Sequence, residues 1–377
     1  MSVKSNNIKG SAGPENGNIH RSSSVAAPAA FLPVAETMPV DWHRLAHYLQ
    51  GQGFAFDPAT QEIRQFAGGF ANRNYLIEIN GRQCVLRRPP DGDLPPGAHD
   101  MAREHRILSS LSRAVSFVPD SLHLCEDHSV IGVPFQLIEY RSGIVIRDGD
   151  MTPVAGHANT PRRICEMMAS TLAELHQVDA EAVGLGQLGR PDGFIDRAIA
   201  GWSRRGALVV QTTASRSLLD EITSWLRRQK FHARHATILH CDFKLDNLIL
   251  DPETLAPVAL IDWDMGTRGD PLFDLATLLS YWAEPNDPPA LLQLKQMPTA
   301  QPGFWSRDEF SKRYAELTSC KLDDLPAMRV LALLKLGVVF LQLHRQWING
   351  AVKNQRYAGF GQLGEDLLLI AHDARME

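Results

Sequence analysis

Between residues 62 and 88 apolar and polar side chains alternate or cluster, with Ile63, Phe66, Tyr75, Ile77, Ile79, Cys84, Val85 and Leu86 arranged around the dipeptide Asn80-Gly81. Period-two alternation belongs to strands whose faces see different environments, and Asn-Gly supplies the left-handed positions of a tight hairpin turn. The stretch therefore predicts an antiparallel meander. After the loop Arg87-Arg88-Pro89-Pro90, residues 98–111 place Met101, Glu104, Leu108 and Leu111 on one helical stripe, which suits a helix packed against that sheet. A short apolar run at 133–139, following Gly132, predicts a further strand that leads to the break Ser142-Gly143. Upstream, Trp42, Leu45, Ala46 and Leu49 recur at helical spacing until Gly51 and Gly53 stop the helix.

Beyond residue 142 the period changes. Residues 160–178, 217–230, 271–282, 307–318 and 325–349 show helical spacing, interrupted by strand-like pieces at 248–250 and 258–261. The chain divides into a disordered tail at 1–36, a small mixed lobe at 37–141 and a helical lobe at 142–377, an α+β architecture. The tail lacks the central apolar run of a secretory signal. The apolar stretch 330–343 carries Lys335 and ends at His344 and Arg345, so it reads as a core helix too short and too polar for a bilayer. No membrane association is expected.

A formal net charge of -5, from 38 basic and 43 acidic residues spread along the whole chain, leaves no basic stripe for nucleic acid. A small-molecule partner is expected instead. The five cysteines, Cys84, Cys125, Cys165, Cys241 and Cys320, form no Cys-x-x-Cys pair, which favours a reducing cytoplasm over a disulfide framework. His232, His235, His240 and Cys241 match no zinc-site spacing.

The chemistry concentrates in His240-Cys241-Asp242-Phe243-Lys244-Leu245-Asp246-Asn247, followed by a hairpin and Ile261-Asp262-Trp263-Asp264. Phosphoryl transfer needs a carboxylate to orient the attacking hydroxyl and oxygen ligands for the cations that accompany the phosphates. Asp242 suits the first task, and Asn247 with Asp262 the second. His-x-Asp-x-x-x-x-Asn is also the order of the protein-kinase catalytic loop, and Asp262 follows a hairpin as the metal-binding aspartate does there. Residues 239–276, LHCDFKLDNLILDPETLAPVALIDWDMGTRGDPLFDLA, resemble the central signature of the aminoglycoside phosphotransferase and choline kinase superfamily. The resemblance implies the two-lobed protein-kinase-like fold, ATP and Mg2+ as cofactors, and a hydroxyl on a small molecule as acceptor. It further implies Asp242 as catalytic base, Asn247 and Asp262 as magnesium ligands, His240 as a structural partner of the loop and Asp274 as a buried brace. Lys244 stands where protein kinases place a lysine that reaches the transferred phosphate.

Upstream, Gly68 and Gly69, with Asn72 close behind, lie between two strands and suit a loop over the phosphates, since glycine lets backbone N–H groups approach closely. Kinases need a cation on the third strand, paired to a carboxylate on the following helix. Most of the superfamily uses lysine there, whereas this chain has Arg87-Arg88. The pattern selects Arg87 for the phosphates, alternation points Arg88 to the opposite face, and Glu104 is the expected partner of Arg87. The resemblance makes Ile138-Glu139-Tyr140 the hinge that meets adenine, so Glu139 and Tyr140 join the nucleotide-binding set.

Leu279-Ser280-Tyr281-Trp282, Pro302 to Phe310, Arg313-Tyr314 and Phe340 resemble the branch of the superfamily fused to acyl-CoA dehydrogenases, over about residues 39–373. That resemblance implies a hydroxyacyl-CoA, notably a 4-hydroxyacyl-CoA, as acceptor. Two departures stand out: Gly69-Phe70-Ala71-Asn72-Arg73 replaces the branch's Gly-x-Ser-Asn-Pro loop, and Arg87-Arg88 replaces its Arg-Lys. The alternatives are a non-catalytic nucleotide-binding module and an aminoglycoside or other small-alcohol kinase of the same fold.

Overall fold

A computed structural model describes residues 31–67, 72–90, 99–351 and 354–376. Helix α1 (Trp42–Gly51) begins at Asp41, whose side chain accepts from the Arg44 N–H and so caps the helix. A sheet of order β1-β2-β3-β5-β4 follows, built from β1 (Arg64–Gln65), β2 (Arg73–Ile79), β3 (Arg82–Arg88), β4 (Ser121–Cys125) and β5 (Phe135–Glu139). The β2–β3 hairpin pairs Ile79 with Arg82 across Asn80 and Gly81, whose φ values of 51° and 71° give the left-handed turn that Asn-Gly favours. Helix α2 (Met101–Leu111) and short α3 (His128–Ile131) complete this lobe. One sheet face packs on α1 through Leu45, Leu49, Tyr75, Ile77 and Phe135; beneath α2, Ile107, Leu108 and Leu111 belong to the core of the second lobe.

The larger lobe comprises α4 (Thr160–His176), α5 (Phe194–Val209), α6 (Thr213–Arg228), β6 (Thr237–Leu239), β7 (Leu248–Leu250), β8 (Pro257–Leu260), β9 (Thr267–Gly269), α7 (Pro271–Tyr281), α8 (Pro289–Gln293), α9 (Arg307–Thr318), α10 (Leu325–Ile348) and α11 (Phe360–Asp373). Two ribbons, β6–β9 and β7–β8, present the chemistry-bearing loops at their ends. Helix α7 is buried at every position, with Asp270 capping its N-terminus and Pro271 in the first turn, where the missing N–H costs nothing. Helix α10 is, contrary to expectation, long and apolar enough to cross a membrane by length and composition. Burial, not length, makes it a core helix: its side chains from Val330 to Val338 lie inside the lobe.

Other expectations need correction. Residues 31–36, assigned to the tail, are structured: the Leu32 N–H donates to the Gln65 carbonyl at 2.8 Å, and the Phe31 ring lies 4.8 Å from that of Phe66. This segment extends the sheet edge through an antiparallel bridge between Phe31 and Phe66. Residues 1–30 lie outside the described residues. Helix α6 starts four residues before the expected 217, where Thr212 accepts from the Ser215 N–H. Helix α5 was not anticipated; a Cβ at Gly206 would come within 2.9 Å of Leu219 and 3.1 Å of Val338, so the helix packs closely on α6 and α10 there.

Candidate active site

Asp242 and Asn247 lie on the loop between β6 and β7, and Asp262 follows β8, so all three stand at the ends of the two ribbons. The Asn247 amide donates to the Asp242 main-chain carbonyl at 2.8 Å and to its carboxylate Oδ2 at 3.1 Å. Both bonds use the amide nitrogen and leave the Asn247 Oδ1 out of them. The Ile261 N–H donates to the Asn247 carbonyl at 2.9 Å, tying the loop to the strand end that carries Asp262. Both Cys241 and Asp262 adopt left-handed backbone, with φ of 65° and 68°. Such strain in non-glycine residues persists where the surroundings over-determine it.

Those surroundings are explicit. Fully buried Asp274 on α7 accepts from the N–H groups of His240 and Cys241, each at 2.6 Å, and lies 3.3 Å from His176 Nε2. The brace expected of Asp274 is thus visible as geometry. Lys335 on α10, also buried, donates to the Cys241 carbonyl. His240 accepts the Asp242 N–H through Nδ1 at 3.2 Å and donates from Nε2 to the Ile261 carbonyl at 2.9 Å. One nitrogen accepts while the other donates, so the ring is neutral, and burial lowers its proton affinity accordingly. His240 is therefore a strut between loop and strand.

Around Asp242, Lys244 Nζ lies 3.5 Å from Oδ2 and 3.2 Å from Gln296 Oε1. The Tyr281 hydroxyl donates to Oδ1 at 2.9 Å. Burial pushes the Asp242 carboxyl up, but Lys244, Lys335 and the Tyr281 hydrogen bond outweigh it and hold the group below its ordinary value. Burial likewise disfavours the Lys244 ammonium, and Asp242, Asp246 and Asp262 restore it to above the ordinary range. Both groups are charged at neutral pH.

The small lobe supplies the facing wall. Arg87 Nε donates to Glu104 Oε2 at 2.7 Å and Nη2 to Asp262 Oδ1 at 2.7 Å, with Asp264 Oδ1 3.3 Å from the same nitrogen. The arginine selected from the sequence thus does pair with the glutamate selected for it. Gln136 and the Trp263 N–H add donors to Glu104 at 2.5 and 3.3 Å, a set that suits the carboxylate even though burial pushes Glu104 up to about 7 against the pull of Arg87. Burial disfavours the Arg87 cation, yet Glu104, Asp262 and Asp264 raise it above its ordinary value. Arg88 turns to the other side and donates to the Pro89 carbonyl. Asn72 donates to Asp264 Oδ2 at 2.8 Å and contacts His99, joining the lobes at the end of the glycine-bearing segment. Gly68 and Gly69 lie outside the described residues.

A cavity of about 320 Å³ runs between the lobes, lined by Phe66, Val85, Arg87, Glu104, Ile138, Glu139, Tyr140, Ile249, Ile261 and Asp262 among others. Its apolar half suits a purine and its charged end meets Asp262. Tyr140 flanks it 6.3 Å from the Phe66 ring, whereas the Glu139 carboxylate turns aside to Arg141 at 2.8 Å and the Asp120 N–H at 3.1 Å. Only the backbone and stem of Glu139 are left to meet a ligand. Glu104, Asp262 and Asp264 each bring a carboxylate oxygen within 4.8 Å of the others, with Arg87 among them. Oxygen-only donors of this kind, Asn247 and Asp262 included, fit magnesium rather than a softer ion.

Residues 62–310 match the family model described as phosphotransferase enzyme family. The chain belongs to that family. It is 29% identical over 343 residues to mouse acyl-CoA dehydrogenase family member 10, a match covering 90% of this chain and 32% of the relative. The chain thus spans about a third of the length of that relative. A Ralstonia eutropha structure provisionally designated an aminoglycoside phosphotransferase superposes with a TM-score of 0.72 at 22% identity, covering 90% of this chain and 99% of the other. A thermostable mutant of aminoglycoside phosphotransferase APH(4)-Ia, solved with AMP-PNP and hygromycin B, gives a TM-score of 0.58 at 16% identity, covering 88% and 97%. These likenesses establish the two-lobed kinase-like fold expected from the sequence. Sequence reasoning missed Tyr281, Lys335, Gln136 and a role for Asp264. Only Asp264 had a local signal, its place beside Asp262.

Proposed function

We propose that this chain is an ATP-dependent kinase that phosphorylates a hydroxyl group of a small molecule. The observation that carries the reading is that Asp262 and the Arg87–Glu104 pair line the charged end of the interlobe cavity, while the Ile261 N–H ties to that strand end the loop on which Asn247 holds Asp242. ATP would place its purine among Val85, Ile138, Ile249 and Ile261 and direct its phosphates toward Arg87 and Asp262. The Asp242 carboxylate accepts the proton of the acceptor hydroxyl as its oxygen bonds to the γ-phosphorus, and the bond to the β-phosphate oxygen breaks to release ADP. Lys244, held charged, faces the transferring group. Asn247 and Asp262 would hold Mg2+, which when bound neutralises charge on the phosphates.

For the acceptor we favour a hydroxyacyl-CoA, because the match covering 90% of the chain is to a protein named for acyl-CoA dehydrogenation. A cytoplasmic location accords with five free cysteines. The test incubates the protein with ATP and Mg2+ and a panel of hydroxyacyl-CoA, choline, sugars and aminoglycosides, reading an added phosphate by mass spectrometry. Product with a hydroxyacyl-CoA, abolished by Asp242→Ala, is expected. Nucleotide binding without product from any acceptor would turn the reading to a non-catalytic module.

A further inference from the structure

Tyr281 ends α7, a helix buried along its whole length, and is itself only 8% exposed. A phenylalanine would fill the same volume. What tyrosine adds is its hydroxyl, and that hydroxyl donates to Asp242 Oδ1 at 2.9 Å. Burial, then the negative charge of Asp242, pushes the phenol well above its ordinary value, so it stays protonated and acts as the donor. The other carboxylate oxygen, Oδ2, takes the Asn247 amide at 3.1 Å. Lys244 Nζ sits 3.5 Å from Oδ2 and 4.8 Å from the Tyr281 ring centroid, so the ring also seats the ammonium.

We propose that Tyr281 is a positioning residue that locks the Asp242 carboxylate in one orientation, presenting to the acceptor the lone pairs that Tyr281 and Asn247 leave free. Two donors on opposite oxygens remove the rotation about the Cβ–Cγ bond that would otherwise blur the direction of proton transfer. The charged groups facing Asp242 are Lys244 and Asp246 on its own loop and Lys335 from α10, with His240 neutral. None of them donates a hydrogen bond to Oδ1.

The inference rests on Asp242 being the base, so the experiment separates the two. Turnover of the hydroxyacyl-CoA probe by full-length protein is compared in wild type, Tyr281→Phe, Asp242→Asn and the double variant. Tyr281→Phe should lower kcat about tenfold, with KM for ATP unchanged, because Tyr281 is not among the residues lining the nucleotide cavity. In the Asp242→Asn background the same substitution should cost nothing further, since the hydroxyl acts through Asp242. An unchanged kcat in Tyr281→Phe, the same loss repeated in the Asp242→Asn background, or a rise in KM for ATP in step with the loss of kcat overturns the proposal. Wild-type turnover in Asp242→Asn instead fails the assignment of Asp242 as base.

Discussion

Replacing Arg87 tests the interlobe wall most directly. Its guanidinium makes two charge-assisted bonds at 2.7 Å, to Glu104 from β3 across to α2 and to Asp262 from one lobe to the other. Such bonds contribute about 1.5–3 kcal/mol each. Lysine carries one nitrogen and cannot hold both partners in this fork, so Arg87→Lys should lose one bond, about 2 kcal/mol. Arg87→Ala leaves Glu104 buried without its cation, a loss of about 3–5 kcal/mol at pH 8. Protonation of Glu104 limits that loss at lower pH. Burial pushes its carboxyl up to about 7 even beside Arg87, and removing the cation raises it further. A folded-state value raised above the unfolded one means that folding takes up a proton, so stability declines as pH rises through the interval between them, by up to about 1.4 kcal/mol per unit. Urea denaturation at pH 6 and pH 8, at constant m, reads both effects. Arg87→Ala should lose more at pH 8 than at pH 6, and Glu104→Gln in the same chain should recover part of the loss by removing the stranded charge. A loss below about 1 kcal/mol at pH 8, or no recovery in the double variant, would refute the reasoning.

Asp242→Asn keeps the shape of the side chain and should lower kcat by about 10²–10⁴ without a matching change in nucleotide affinity, as measured by turnover and calorimetric titration. At Gly143, where the chain passes between the lobes, an added Cβ would lie 2.5 Å from the Leu250 carbonyl oxygen. Because backbone cannot swing aside, Gly143→Ala should lower both the melting temperature and the affinity for ATP, since Gly143 also lines the cavity. Asp274→Asn replaces one of two carboxylate oxygens that accept from the catalytic-loop N–H groups. A destabilisation of about 2–3 kcal/mol in urea is expected, because one buried N–H loses its acceptor.

Local chemistry carried much of what could be read directly. The hairpin at Asn80-Gly81, the Asp242, Asn247 and Asp262 spacing, and the capping box of α9, where Ser306 and Glu309 exchange bonds, are all short-range statements that a handful of neighbouring residues impose. The match of Arg87 to Glu104 was also legible, because strand alternation and helical period each limit a side chain to one face. Three-residue strands such as β6 and β9 carry too little pattern to stand out, and their pairing joins residues far apart in the chain.

The residue types and order needed for phosphoryl transfer, and the alternation of the small sheet, were determined by the sequence itself, since both depend on contacts within a few positions. Folding in three dimensions decided the rest. Only the tertiary structure set Tyr281 on Asp242 from 39 residues away, Lys335 beneath Cys241, and Arg87 across the cleft onto Asp262 and Asp264. Such partners are chosen by burial, because a charge or hydroxyl withdrawn from water must find its complement wherever the packed chain provides one.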